Sequence, residues 1–124
     1  MTPRSKLGDF GERLAAHRLE AAGLTIVGRK VRVKAGEIDL VAADGDDVVF
    51  VEVRTRRAAP GLAAESVDDR KVVRMWECAM QYCEREAIDP ERARIDMVSV
   101  DLDGGGKVLE VMHVKGLEVP EIAD

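Results

Sequence analysis

The sequence predicts a single mixed α/β domain, with one β-sheet flanked by helices in the order αβββαββ. Two observations carry this. A stretch with a helical repeat opens the chain, three extended runs follow, and a second helical stretch separates them from two more extended runs. The length of 124 residues suits one core and leaves no room for two, so residues 1–124 read as one domain. Hydrophobic residues at 46% can fill that core, which excludes an intrinsically disordered chain.

From Leu7 to Ala22 the apolar residues Leu7, Phe10, Leu14, Ala15, Leu19 and Ala22 recur at three- and four-residue steps, and Gly23 stops the helix. Arg18 falls inside the apolar arc and must snorkel or find a carboxylate, while Glu12 sits at its edge next to Leu19. LTIVGRKVRV then reads as a strand, bulged at Gly28. After a turn at Lys34 to Gly36, EIDLVAA and DVVFVEVRTR form a hairpin around Asp44, Gly45 and Asp46. Pro60 and Gly61 break the chain, and Ser66 with Asp69 resembles a capping box for the second helix. In that helix Val72, Trp76, Ala79, Met80 and Cys83 form the apolar stripe, which ends before Asp89-Pro90. ARIDMVSVDL and VLEVMHV are the last strands, joined by Gly104, Gly105 and Gly106, and the acidic residues 117–124 are expected to be a loose tail.

Several chemistries are excluded by the same residues. No apolar run reaches the roughly 18 residues of a membrane span, and the first residues lack the apolar stretch of a signal peptide, so a cytoplasmic protein is expected. Cys78 and Cys83, five apart on a helix, diverge by roughly 140° and cannot bridge. His17 and His113 lack metal-ligand spacing, so both read as surface or boundary histidines and zinc is not expected.

The informative feature is the charge inside the first hairpin. Alternation puts Glu37, Asp39 and Val41 on one side of its first strand, and Phe50, Glu52, Arg54 and Arg56 on one side of its second. If the turn is Gly45-Asp46, Asp39 lies directly opposite Glu52; if it is Asp44-Gly45, the two are diagonal but still on the same face. Opposed like charges need a compensating cation or metal ion, and Arg54 is the candidate cation. A solvated ion-pair cluster is the competing account. Against it stands the run Val48 to Val53, apolar except for Glu52, which the flanking helices should cover.

Net charge is −5, which argues against a general nucleic-acid coat protein. Residues 1–57, however, hold 11 Lys and Arg against 9 Asp and Glu, whereas residues 58–124 hold 8 against 15. A polyanion would therefore meet the N-terminal half, where Arg29, Lys30, Arg32, Lys34, Arg54, Arg56 and Arg57 concentrate.

The segments GERLAAHRLEAAGL, GEIDLVA, VVFVEVRTR, the lysine in DDRKVVRM and the late IDMVSV resemble the YraN-like family of small bacterial proteins, similar in core to the PD-(D/E)XK nuclease superfamily. The likeness runs from about Gly8 to Val100. It implies a restriction-endonuclease-like αβββαβ core and a divalent metal, Mg²⁺ or Mn²⁺, held by Asp39 and Glu52 with the carbonyl of Val53. It further implies Glu12 as an accessory metal or water ligand and Lys71 as a basic position on the second helix. The superfamily's usual lysine is Arg54 here, and arginine stays protonated, so it cannot act as a general base. It can still orient water or stabilise charge in the transition state.

The expected function is metal-dependent hydrolysis of DNA phosphodiesters, with Asp39, Glu52, Arg54 and Glu12 as catalytic residues. Arg29, Lys30, Arg32, Arg56 and Lys71 are expected to contact the nucleic acid. Duplex or branched DNA is preferred to single strands, because 3% aromatic residues are too few for base stacking. A homodimer would suit a junction-cleaving role by fold analogy, and no membrane partner is expected. Two other classes are carried: a non-catalytic DNA-binding module that kept the fold, and a protein-interaction domain whose acidic half docks a basic partner. Metal binding separates the first reading from both, and salt-dependent DNA affinity separates the second from the third.

Overall fold

The computed structural model describes residues 4–57 and 68–121. Helix α1 (Arg4–Ala21) leads into β1 (Thr25–Val33), β2 (Gly36–Asp44) and β3 (Asp47–Arg57). Helix α2 (Asp69–Glu86) and a 3₁₀ turn (Pro90–Arg92) precede β4 (Ala93–Leu102) and β5 (Val108–Val114). The strands lie in one sheet in sequence order. All neighbours are antiparallel except β3 and β4, which run parallel because α2 crosses between them. The order is the expected αβββαββ, and it contains the αβββαβ core implied by the resemblance. No helix among the described residues is long and apolar enough to cross a membrane.

Local chemistry fixes the ends of these elements. Gly23 at φ +95° closes α1, donating to the Glu20 carbonyl while Leu24 reaches back to Leu19, which satisfies carbonyls the helix would leave bare. The bulge falls between Ile26 and Gly28, leaving Val27 as the extra, solvent-facing residue. The cap of α2 is Asp68, whose side chain accepts from the Lys71 amide at 3.0 Å. The expected Ser66 cap lies outside the described residues, as do Pro60 and Gly61. The helix ends at Ala87 in the left-handed region, two residues before Asp89.

Each face of the sheet carries one helix. Ala15, Ala16 and Leu19 of α1 pack on Leu40, Val49, Val51, Val98 and Val100. Met75, Cys78, Ala79 and Cys83 of α2 pack on Ile38, Val41, Phe50 and Ile95. The buried stripe of α2 is rotated from the one expected: Met75 and Cys78 lie inside, while Trp76 and Met80 are only half-buried. The helix lies across a twisted sheet, so the sheet's shape decides which flank of the apolar arc is covered. Arg18 is exposed, the snorkelling outcome. The chain beyond β5, expected to be loose from residue 117, is pinned at Leu117, whose amide donates to the Ile95 carbonyl at 2.7 Å and whose side chain joins the α2-side core.

One close approach sets the distance between α1 and the sheet. Where α1 passes over β3, a methyl group on Gly11 would collide with Thr55 Oγ1. Glycine lets the helix touch the strand there, and that contact brings the next residue, Glu12, to the sheet.

Candidate active site

The hairpin turn is Gly45-Asp46, flanked by the pair Asp44 and Asp47. Backbone pairing runs from there to Leu40 opposite Val51, and the next pair in that register is Asp39 with Glu52. The ladder stops one step short of it. Asp39 Oδ2 instead accepts the amide of Val53 at 2.8 Å, so a carboxylate occupies the place of a strand-to-strand hydrogen bond. Both acids therefore sit where β2 and β3 part, and both line cavities on either side of the sheet. One, of about 290 Å³, is bounded by α2 through Lys71, Met75 and Cys78; the other, of about 530 Å³, is bounded by α1 through Glu12 and by Arg54 and Arg56.

Electrostatics at the pair are set by burial and crowding. Glu52 is 7% exposed, and its Oε1 lies 3.4 Å from Arg54 Nε and 3.3 Å from Lys71 Nζ. Two cations thus answer one buried acid, as the like-charge argument requires. The Asp39 carboxyl is pushed up to about 6, first by burial and then by the neighbouring Glu52 charge, against the lowering effect of the Val53 amide. Glu12, on the opposite wall, is also raised, mainly by burial. Arg54 Nε and Ser99 Oγ, neighbours across the β3–β4 ladder, are buried without a hydrogen-bond partner.

These shifts fix the sign of the pH dependence. A carboxyl whose folded pKa lies above its unfolded value makes the native state bind more protons, so its contribution favours folding below pH 4 and is lost as pH rises through about 6. Asp39→Asn should flatten the stability profile between pH 4 and 7 and raise stability at pH 7 by about 1–3 kcal/mol. Urea denaturation across that range measures it. A variant profile parallel to wild type would mean that Asp39 is not crowded by Glu52.

The expected nucleic-acid contacts divide. Lys30, at φ +47° in β1, is tied to Asp9 Oδ1 at 2.9 Å and Glu12 Oε2 at 3.1 Å, which hold its ammonium above its usual range. It orients Glu12 while its side chain stays half-exposed. Arg32 reaches Glu37 at 3.2 Å. Arg29 is exposed beside Lys30, and Arg56 donates to its neighbour's carbonyl, Thr55 O, from the rim of the larger cavity. Lys71 belongs to the carboxylate pair itself.

Sequence reasoning missed two groups. Arg70 and Arg74 of α2 join Arg54 and Lys71 around a further cavity; they sit in the net-acidic half, where a linear charge count hides them. Asp96, fully buried, accepts from Arg94 Nε at 3.0 Å and Nη2 at 3.1 Å and from the Gly116 amide at 3.0 Å, and pairs with His113 Nε2 at 2.8 Å. The His113 side chain is only 4% exposed, so of the surface and boundary readings the boundary one holds, with the ring turned inward onto Asp96.

Two carboxylates and a backbone carbonyl are hard oxygen donors of the kind Mg²⁺ accepts, since that ion usually binds through one or two carboxylates and keeps several waters. Asp39 and Glu52 fit such an ion as a pair; among the described residues no three His, Cys, Asp or Glu side chains gather to hold one without help from water or substrate.

Comparison with known proteins gives a consistent family. A UPF0102 protein of Dehalococcoides mccartyi is 43% identical over 110 residues, 88% of this chain and 91% of that protein. UPF0102 proteins of Kineococcus radiotolerans and Paenarthrobacter aurescens are 38% and 40% identical, covering 92% and 94% of this chain and 94% and 97% of theirs. Among solved structures, Pyrococcus furiosus SfsA in complex with Ca²⁺ is similar at a TM-score of 0.40 and 14% identity, over 94% of this chain and 65% of that one. Likeness at that level leaves the fold assignment to the strand order and helix placement of this chain. The model of Uncharacterised protein family UPF0102 matches residues 11–100, from the helix that carries Glu12 to near the end of β4, and the chain belongs to that family, bearing out the YraN-like resemblance.

Proposed function

We propose that the protein is a metal-dependent nuclease that hydrolyses DNA phosphodiesters at Asp39 and Glu52. The observation that carries this reading is the pair itself: two carboxylates brought together at the parting of β2 and β3, Asp39 pushed up to about 6 and Glu52 buried in the otherwise apolar run Val48 to Val53. A fold gains nothing in stability from such crowding, so its presence in the cleft points to use. Asp39, Glu52 and the Val53 carbonyl would hold Mg²⁺ or Mn²⁺, which when bound supplies charge stabilisation to the phosphoryl group and eases deprotonation of water.

The chain's own groups then divide the remaining work. Arg54, permanently charged, holds a non-bridging phosphoryl oxygen and meets the negative charge that grows as water attacks phosphorus. Glu12, raised by burial and oriented by Lys30, is placed to take the proton of that water. The bond from phosphorus to one ribose oxygen breaks, and solvent protonates the departing oxygen.

A non-catalytic DNA-binding module is the second reading, favoured by one observation: Arg54 and Lys71 already neutralise Glu52. A panel of duplex, nicked, flapped, branched and single-stranded DNA, each with Mg²⁺, Mn²⁺ or EDTA, separates the two. Cleavage of duplex or branched substrates that needs the divalent ion is expected. Intact DNA in every lane, alongside salt-dependent binding, would leave the binding module.

A further inference from the structure

We propose that Arg54, Arg70, Lys71 and Arg74 form a pocket that binds a phosphate group of a nucleic-acid strand, beside the carboxylate pair and sharing Arg54 and Lys71 with it. The inference rests on the nucleic-acid reading of the carboxylate site and extends it to a second anchoring point. The pocket, of about 290 Å³, is lined by these four cations and Asp68. Its one acid is committed elsewhere, because Asp68 Oδ1 caps the helix through the Lys71 amide. Glu52 faces Arg54 and Lys71 from the neighbouring cleft, yet Arg54 Nε remains buried without a hydrogen-bond partner. Arg70 and Arg74, four residues apart on one helix face and both exposed, have no carboxylate partner among the described residues.

The contrast with the rest of the molecule gives this weight. Lys30, Arg32, Arg85 and Arg94 each hold a carboxylate within 3.2 Å. Here Arg54 and Lys71 share the single buried carboxylate of Glu52 and Arg70 and Arg74 hold none, so positive charge exceeds acid at the pocket and favours an anion there. Guanidinium groups and an ammonium around a small cavity suit phosphate, which takes several charge-assisted bonds at once. No aromatic side chain lines the pocket, so it reads phosphate and not base. Arg54 and Lys71 belong both to the pocket and to the carboxylate pair, so a strand seated here is held one side chain away from Glu52.

The test is fluorescence anisotropy in EDTA, using one duplex with terminal phosphates and the same duplex with hydroxyl ends, with inorganic phosphate as competitor. Arg70→Ala/Arg74→Ala should weaken duplex binding by about tenfold or more and reduce the salt slope by about two. Arg18→Ala/Arg92→Ala, an equal charge change outside the pocket, should leave binding as in wild type. If phosphate-ended duplex binds more tightly and the variant erases the difference, the pocket holds a terminal phosphate. If both ends bind alike and both weaken, it holds an internal phosphodiester. Wild-type affinity in Arg70→Ala/Arg74→Ala, or equal losses in the two double variants, overturns the pocket. A thermal melt with Mn²⁺ keeps this apart from the nuclease reading: a protein with no Mn²⁺ response but with Arg70- and Arg74-dependent binding loses the metal site and keeps the pocket. A Mn²⁺ response without that dependence loses the pocket alone.

Discussion

Glu52→Ala is expected to abolish both the stabilisation by Mg²⁺ or Mn²⁺ and any cleavage, while leaving the metal-free fold near its wild-type stability. The metal part follows from mass action: an ion that binds only the native state adds about 3 kcal/mol at a hundredfold excess over Kd, which melting curves resolve as several degrees. The metal-free part follows from the crowding. Removing Glu52 lifts the like-charge repulsion on Asp39 and leaves Lys71, already a lowering influence on it, as its counterion. Arg54 gives the companion result. Arg54→Lys keeps the charge and should retain cleavage, whereas Arg54→Ala should lower it by about 10²–10³-fold, the usual loss of a transition-state donor. If Arg54 were only a counterion, Arg54→Ala would be less stable without metal, rescued by Mg²⁺, and fully active. That outcome would remove Arg54 from the mechanism and leave the carboxylates alone. A wild-type melting curve unmoved by either ion would remove the metal site.

The carboxylate pair was legible in the sequence for a geometric reason. A two-residue turn fixes the register of a hairpin, so the numbers of paired residues have a constant sum, and with either turn that the sequence allowed, Asp39 and Glu52 share one face. What the register could not reveal is that pairing ends at Leu40, because that depends on Asp39 capturing the Val53 amide in three dimensions. The rotated stripe of α2 was hidden for a similar reason: periodicity shows an apolar arc, and the sheet chooses which part of it to bury. The surroundings of the basic residues were legible only in part. A count along residues 1–57 treats Lys30 and Arg32 as available, yet Asp9, Glu12 and Glu37 answer them from other elements or the next strand. Meanwhile α2 carries Arg70 and Arg74 to Arg54 from a stretch whose linear charge is negative. A linear charge count does not show which cations the fold brings together. The partner of His113 was hidden because three glycines in a row set no register for the last hairpin, so nothing in the sequence paired His113 with Asp96.

Asp96→Ala is expected to cost about 3–5 kcal/mol of stability, the loss that follows when a buried charge network is broken at one partner. Its carboxylate is fully buried and receives four bonds, so its removal strands the Arg94 guanidinium, the His113 ring and the Gly116 amide together. Arg94 carries the effect further, since its Nη1 also holds Asp44 at 2.9 Å beside the turn of the β2–β3 hairpin. The network thus ties the entry of β4 to the hairpin that bears both site acids and to the chain leaving β5. Burial alone would raise the Asp96 pKa, but the bonds from Arg94, Gly116 and His113 hold it below its ordinary value. A lowered folded pKa gives stability that is present above pH 4 and lost as pH falls through the folded value, opposite in sign to Asp39. The acid limb of unfolding should therefore shrink in Asp96→Ala, while the loss of stability between pH 4 and 7 that comes from Asp39 remains. Urea denaturation at pH 7 and an acid titration of the far-UV signal measure both. Because the network touches neither Asp39 nor Glu52, the affinity for Mn²⁺ at a temperature where the variant is folded should equal wild type. A stability loss under 1 kcal/mol would show that Arg94 and His113 find other partners. A Mn²⁺ affinity that falls with stability would show that the hairpin's anchor and its carboxylates act as one unit.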